Sequence, residues 1–368
     1  MQGRAASTRP AARRCVAALV CLAAAQALCA GETDARSVSQ PDADLAVRAR
    51  ALAEQSDWTH VRALLEPAAH ELDDALAALL ARACTKLGDA RAARDVLQRA
   101  LSRFPSSEPL WIEWTDEALA RTAFAVALSR VSEARRRGVH SAALAYRAAV
   151  AHFELGEFVG RAAVREIPGG RPGQFCGPWL AIEPRGAAGE FLCCPERSAL
   201  FQLRAALDSG FNEPAAHLLH ARIWLKLGNA DAALSVLENR RPVLMAADPL
   251  ATLQTLAEAH LARNDVAEYV RCACAAARRQ PERTGELMLA AYRTAAQRCN
   301  ERGDSVGHCR FLRQAVELCP TDVETTLRLA DALHDAGRAD EAREWYRTVL
   351  SLAPEHADRE RILNRIGG

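Results

Sequence analysis

Val323 to Pro354 reads VETTLRLADALHDAGRADEAREWYRTVLSLAP, and its pattern decides the fold class. Leu329, Ala330 and Leu333 share one face of a first helix, and Ala342, Tyr346 and Val349 share one face of a second. Gly337 permits a sharp turn between them. Pro354 stops the pair because it lacks the N–H that another helical turn requires. The unit recurs: Gly303 and Gly337 are 34 residues apart, as are Pro320 and Pro354.

The same grammar extends upstream. Asp74 to Pro105 places Leu80, Ala81, Cys84, Gly88, Ala93, Leu97 and Ala100 in the corresponding positions. In the same register, a unit near Glu108 carries Trp111, Trp114 and Ala118, and one near Ala142 carries Ala149, His152 and Gly156. Pro214 to Glu238 supplies Ala221, Trp224, Gly228, Ala233 and Leu237. The unit ending at Pro281 keeps Leu253, Leu256, Ala257 and Ala276, with Asn264 in the place of glycine, a residue that tolerates the left-handed turn. His308 and Tyr269 depart from the pattern: each stands where a small residue would let two helices approach, so looser or adjusted packing is expected there. Beyond Pro354, Ile362, Leu363 and Ile366 mark a short closing helix over the last apolar face.

A 34-residue helix–turn–helix unit with small residues at the crossing resembles the tetratricopeptide repeat, best at 74–105 and 323–354, and also at 214–238, 289–320 and 42–68. The resemblance implies an all-α fold, an α-solenoid in which about seven antiparallel helix pairs form a right-handed superhelix. It implies a non-catalytic scaffold without a cofactor or metal, holding a protein or peptide in a concave groove lined by first helices. The groove candidates are Arg82, Lys86, Arg222, Lys226, Glu258, Arg293, Gln297, Asp331 and His334. Taken singly, each also suits a solvated helix face. The lysine and asparagine clamp by which some relatives grip acidic C-termini is absent, since Arg293, Gln297, Leu327 and Asp331 occupy its places.

Composition agrees with closely packed helices: 50% of residues are apolar and only 5% aromatic. Charge is balanced at 47 basic against 46 acidic residues, with Lys86 and Lys226 the only lysines. At the N-terminus Arg4, Arg9, Arg13 and Arg14 precede an apolar run from Cys15 to Leu28, and no acidic residue appears before Glu32. Ala25-Gln26-Ala27 fits a signal-peptidase site, with cutting after Ala30 as the alternative. Residues 1–30 therefore read as an export signal and the mature chain as extracytoplasmic. The run falls short of the roughly 20 apolar residues of a membrane span, though an uncleaved anchor stays an alternative. Removing the four signal arginines takes the formal net charge from +1 to about −3, which leaves no basic patch for nucleic acid.

The repeat grammar stops between Ile167 and Arg197, where glycine and proline crowd the text. This divides the mature chain into an N-terminal array (31–165), an insertion (166–197) and a C-terminal array (198–368). Gln174–Glu183 and Glu190–Cys194 flank a turn-rich stretch and suggest a small β-hairpin. Insertions in repeat arrays often sit on the binding face, which nominates Trp179, Phe191 and Arg197 as contacts; a plain junction between sub-arrays is the alternative.

Nine of the twelve cysteines lie outside the signal region. In an oxidising compartment Cys299 and Cys309, which flank one turn, are a candidate disulfide pair, and Cys176 with Cys193 or Cys194 is another. A thiol-redox or metal-dependent activity at the insertion cysteines is the rival to the scaffold reading. Against it, no C-x-x-C occurs, and Cys272-Ala273-Cys274 is too close-set for the usual zinc spacing. His217 and His220 lack the glutamate of a zinc-protease helix, and no phosphate-binding glycine loop or nucleophile elbow is present.

Overall fold

A computed structural model describes residues 40–158, 161–163, 191–193 and 198–367. The proposed signal, Trp179, Arg197, Cys176 and Cys194 lie outside them, and of Phe191 and Cys193 only the backbone is described. The described residues are overwhelmingly helical, as the 3.6-residue apolar period requires. They divide into two compact units at Val96/Leu97.

The first unit contains α1 (Gln40–Glu54), α2 (Trp58–Leu65), α3 (Asp74–Lys86) and the start of α4 (Ala90–Arg103). Asp57 and Asp73 cap α2 and α3, accepting from the N–H groups of His60 and Leu76. Val61, Leu65, Leu80 and Ala81 are buried in its core. Arg62 ties the α2 surface to the turn after α3 through Asp89 at 3.1 Å.

The second unit begins within α4 and continues through α5 (Glu108–Ala120), α6 (Phe124–Arg136) and α7 (Ala142–Glu154). After β1 (Arg161–Ala163) and β2 (Phe191–Cys193) come α8 (Ala199–Asp208), α9 (Pro214–Lys226), α10 (Ala230–Ala247), α11 (Pro249–Ala262) and α12 (Val266–Ala277). Then follow α13 (Thr284–Glu301), α14 (Ser305–Leu318), α15 (Val323–Asp335), α16 (Ala339–Leu352) and α17 (Arg359–Gly367). Consecutive helices pack as pairs, α5 with α6, α7 with α8, and so on to α15 with α16, and each pair packs on the next where the chain is continuous. The fold is the all-α solenoid expected. Its core is layered rather than central. Trp224 touches the clusters on both sides of it, and Tyr269 does the same one pair later, so these half-buried rings bridge successive layers.

Three details differ from the sequence reading. The strand at Phe191–Cys193 falls where a hairpin strand was expected, but it pairs antiparallel with Arg161–Ala163; Gln174–Glu183 lies outside the described residues. In the closing helix α17, Ile362 is fully buried and Ile366 packs against the core, whereas Leu363 is 44% exposed. Leu363 follows Ile362 directly, and 100° of rotation per residue turns it off the apolar stripe. Finally, Cys299 and Cys309 are both buried free thiols, so the bond suggested by their flanking positions is not formed.

At His308 the crossing is adjusted rather than loosened, the second of the two expectations. Its Nδ1–H donates to the Ala296 carbonyl at 2.8 Å across the α13–α14 pair, replacing close contact with a hydrogen bond. Its neighbour Gly307 is the buried small residue: a Cβ there would meet the Asp304 carboxylate and lie 2.8 Å from the Cys299 sulfur.

The turns keep the 34-residue register even where glycine is missing. Gly88 and Gly156 have φ of +81° and +77°, and Thr122, midway between them, has φ of 56°. A β-branched residue in that region is strained by about 1 kcal/mol or more. Thr122→Gly should therefore stabilise the chain by about 1 kcal/mol, and Gly337→Ala (φ +75°) should destabilise it by about 1 kcal/mol, both measured by urea unfolding.

Candidate functional site

The groove candidates sit on first helices, as the pattern places them. Arg82 and Lys86 are exposed on α3 in the first unit. In the second unit Arg222 and Lys226 are exposed on α9, Glu258 on α11 and His334 on α15. The Arg222 guanidinium lies 5.0 Å over the Phe153 ring, so its stem and charge already have an intramolecular partner.

Arg293, Gln297 and Asp331 come together in one open recess of about 400 Å³. Asn300 joins them from α13, Arg328 and Asp335 from α15, and Ser305, His308 and Leu312 from α14. Arg222, Lys226, Glu258 and His334 do not line it. Arg328 was legible: 328, 331, 332 and 335 fall on one helical face. His308 had shown itself only as an exception to the small-residue rule.

Much of the charge in the recess is spoken for. Arg293 donates to the Thr325 hydroxyl at 2.8 Å and to the Asp322 carboxylate. Arg328 pairs with Glu324 at 2.9 Å, one turn earlier on α15. Asp331 accepts from the Tyr346 hydroxyl at 2.5 Å, from Arg361 at 2.9 Å and from Arg365 at 2.7 Å. Burial and the neighbouring Asp331 carboxylate push the Tyr346 phenol up to about 12, so it stays a donor. Asp331 thus anchors the closing helix as well as lining the recess. Gln297 keeps a 3.1 Å contact to Glu301, and its exposed amide retains further donor and acceptor capacity.

The histidines of α9 face inward. His217 is buried, and the His220 ring accepts the Trp224 indole N–H at 3.0 Å, which needs a neutral imidazole. Among the described residues, one trio of metal-capable side chains also converges, His260, Glu268 and Cys272, away from the recess.

Two stretches match models of the tetratricopeptide repeat, residues 73–116 and residues 324–356. They overlap the two units, 74–105 and 323–354, where the resemblance in the sequence is best. No curated protein matches the chain. Among solved structures, the chain is similar to one in the crystal structure of the APC/C hetero-tetramer Cut9–Hcn1, at 14% identity and a TM-score of 0.42. That match covers 88% of this chain and 55% of the other, so this chain spans about half its length. A tetratricopeptide repeat protein from Parabacteroides merdae matches at 12% identity and a TM-score of 0.40, over 78% of this chain and 96% of that one. The C-terminal part of a repeat-containing protein from Cytophaga hutchinsonii matches at 11% identity and a TM-score of 0.48, over 78% and 98%.

Burial, then the charge of Arg204, then that of His217 lower the His220 pKa from 6.5 to about 4. The unfolded chain therefore takes up this proton first on acidification. Stability should be complete above pH 6.5 and fall by about 3 kcal/mol as pH drops towards 4. Urea midpoints measured across that window should slope less for His220→Gln than for the wild type. The described residues form an all-α solenoid in which two stretches, 73–116 and 324–356, match the tetratricopeptide repeat.

Proposed function

We propose that the mature chain is an exported, non-catalytic scaffold that holds a protein partner by an extended peptide segment in the recess between α13 and α15. The observation that carries this reading is the recess itself, open to solvent and bordered by first-helix side chains of both signs. An extended peptide offers a donor and an acceptor at every residue, and the amides of Gln297 and Asn300 answer both. Arg328 and Asp335 border the recess with opposite charges, which favours a mixed-charge segment over a polyanion. Repeat arrays of this kind present extended concave surfaces of this use. Export is supported by the arginines, apolar run and small-residue site of residues 1–30. Among the described residues no helix is long and apolar enough to cross a membrane.

A photoreactive residue at Asn300 should crosslink a partner in the source cells, and one at the exposed Arg347 of α16 should not. Equal yields at the two positions would count against the recess. Retention of the adduct after deletion of residues 169–196 keeps recognition in the array; its loss from a folded variant moves recognition to the insertion. N-terminal sequencing of the mature protein should begin at Leu28 or Gly31, and a chain still starting at Met1 would refute cleavage.

A further inference from the structure

The strongest feature outside the recess lies on the α11–α12 pair. Glu268 and Cys272 are four residues apart on α12 and so share a face. His260 sits in the last turn of α11, and a tight turn through Asn264 (φ 64°) folds α12 back towards it. Asp265 fixes that turn by capping α12, accepting from the Glu268 N–H at 3.3 Å. As a result one ligand atom each from His260, Glu268 and Cys272 lies within 4.8 Å of the other two.

Packing alone does not account for the trio. The His260 side chain is only 8% exposed, and its Nδ1 is buried without a hydrogen-bond partner. The Asp265 carboxylate stands 3.6 Å from that nitrogen, beyond hydrogen-bond reach. A buried ring nitrogen without a partner is unfavourable and rare in folded chains. Cys272 is 2% exposed, while Glu268 reaches solvent and pairs with Arg271. One sulfur, one imidazole nitrogen and one carboxylate oxygen are a donor set for a borderline-soft divalent ion, not for calcium or magnesium, which take oxygen alone.

We infer that His260, Glu268 and Cys272 form a zinc-binding site that clips α11 to α12. On binding, the Cys272 thiol gives up its proton to solvent, Glu268 exchanges Arg271 for the metal, and each of the three residues donates one lone pair. Water or an Asp265 oxygen completes a four-coordinate shell. The ion ties the turn to the layer bridged by Tyr269 and Trp224, so the site is structural.

The test uses the full-length mature chain, reduced and stripped by chelator, titrated with Co²⁺ and then Zn²⁺. One Co²⁺ per chain should bind with a thiolate-to-metal charge-transfer absorption that Zn²⁺ then displaces. Cys272→Ala should abolish that absorption, and Cys319→Ser, a less buried cysteine, should keep it. Glu268→Gln should weaken Co²⁺ binding at least about tenfold. Absence of the band in the wild-type chain, or its persistence in Cys272→Ala, overturns the site. Should Cys272→Ala fail to fold, the partly exposed Glu268→Gln decides alone, since unchanged affinity there also overturns it.

Discussion

The close approach of two helices at an unexposed alanine is the constraint on which the rest of this molecule depends. Ala118 and Ala127 on α5 and α6, Ala221 and Ala233 on α9 and α10, and Ala330 and Ala342 on α15 and α16 have no exposed surface. Alanine itself buries little area. Its value is that it brings the axes near enough for Leu237, Leu256 and Tyr346 to fill the space between pairs. A larger residue at such a point forces strain of about 1–3 kcal/mol. His308 satisfies the same constraint differently, with Gly307 taking the tight contact and the ring bonding the opposite backbone.

Polar contacts carry the period of the repeat as well. Arg147 grips Asp116 with two hydrogen bonds, Arg293 reaches Asp322 and Thr325, and Arg313 reaches Glu341. Each joins one pair to the next about one repeat away, and single pairs of this exposure contribute at most about 1 kcal/mol. Their effect is on register. The Asp331 cluster with Tyr346, Arg361 and Arg365 is the same device, joining α15 and α16 to α17.

The helix pairs and their turns were legible because a 34-residue period writes itself into glycine, alanine and proline positions. Asn264 was readable for the same reason, while Thr122 was hidden because its residue type argues against the conformation that the register imposes. The recess was legible as a face but not as a volume: spacing placed Arg293, Gln297 and Asp331 on first helices, and only coordinates show which of them share a space. Tertiary distance also decides what spacing cannot. Cys299 and Cys309 flank a turn yet are both free thiols, whereas His260 and Cys272 lie twelve residues apart on different helices and converge. Motif spacing within one segment could not have found that trio.

The α7–α8 pair has a consequence of its own. Its helices pack as closely as other pairs, yet residues 155–198 separate them, where three residues, 336–338, join α15 to α16. Closure entropy grows only with the logarithm of length, so this long excursion raises the cost of forming the pair by on the order of 2 kcal/mol, and doubling it would add about 0.6 kcal/mol more. The β1–β2 pairing holds two segments of this excursion together, antiparallel. This junction is thus a place where the chain tolerates added or removed length at little cost to the array.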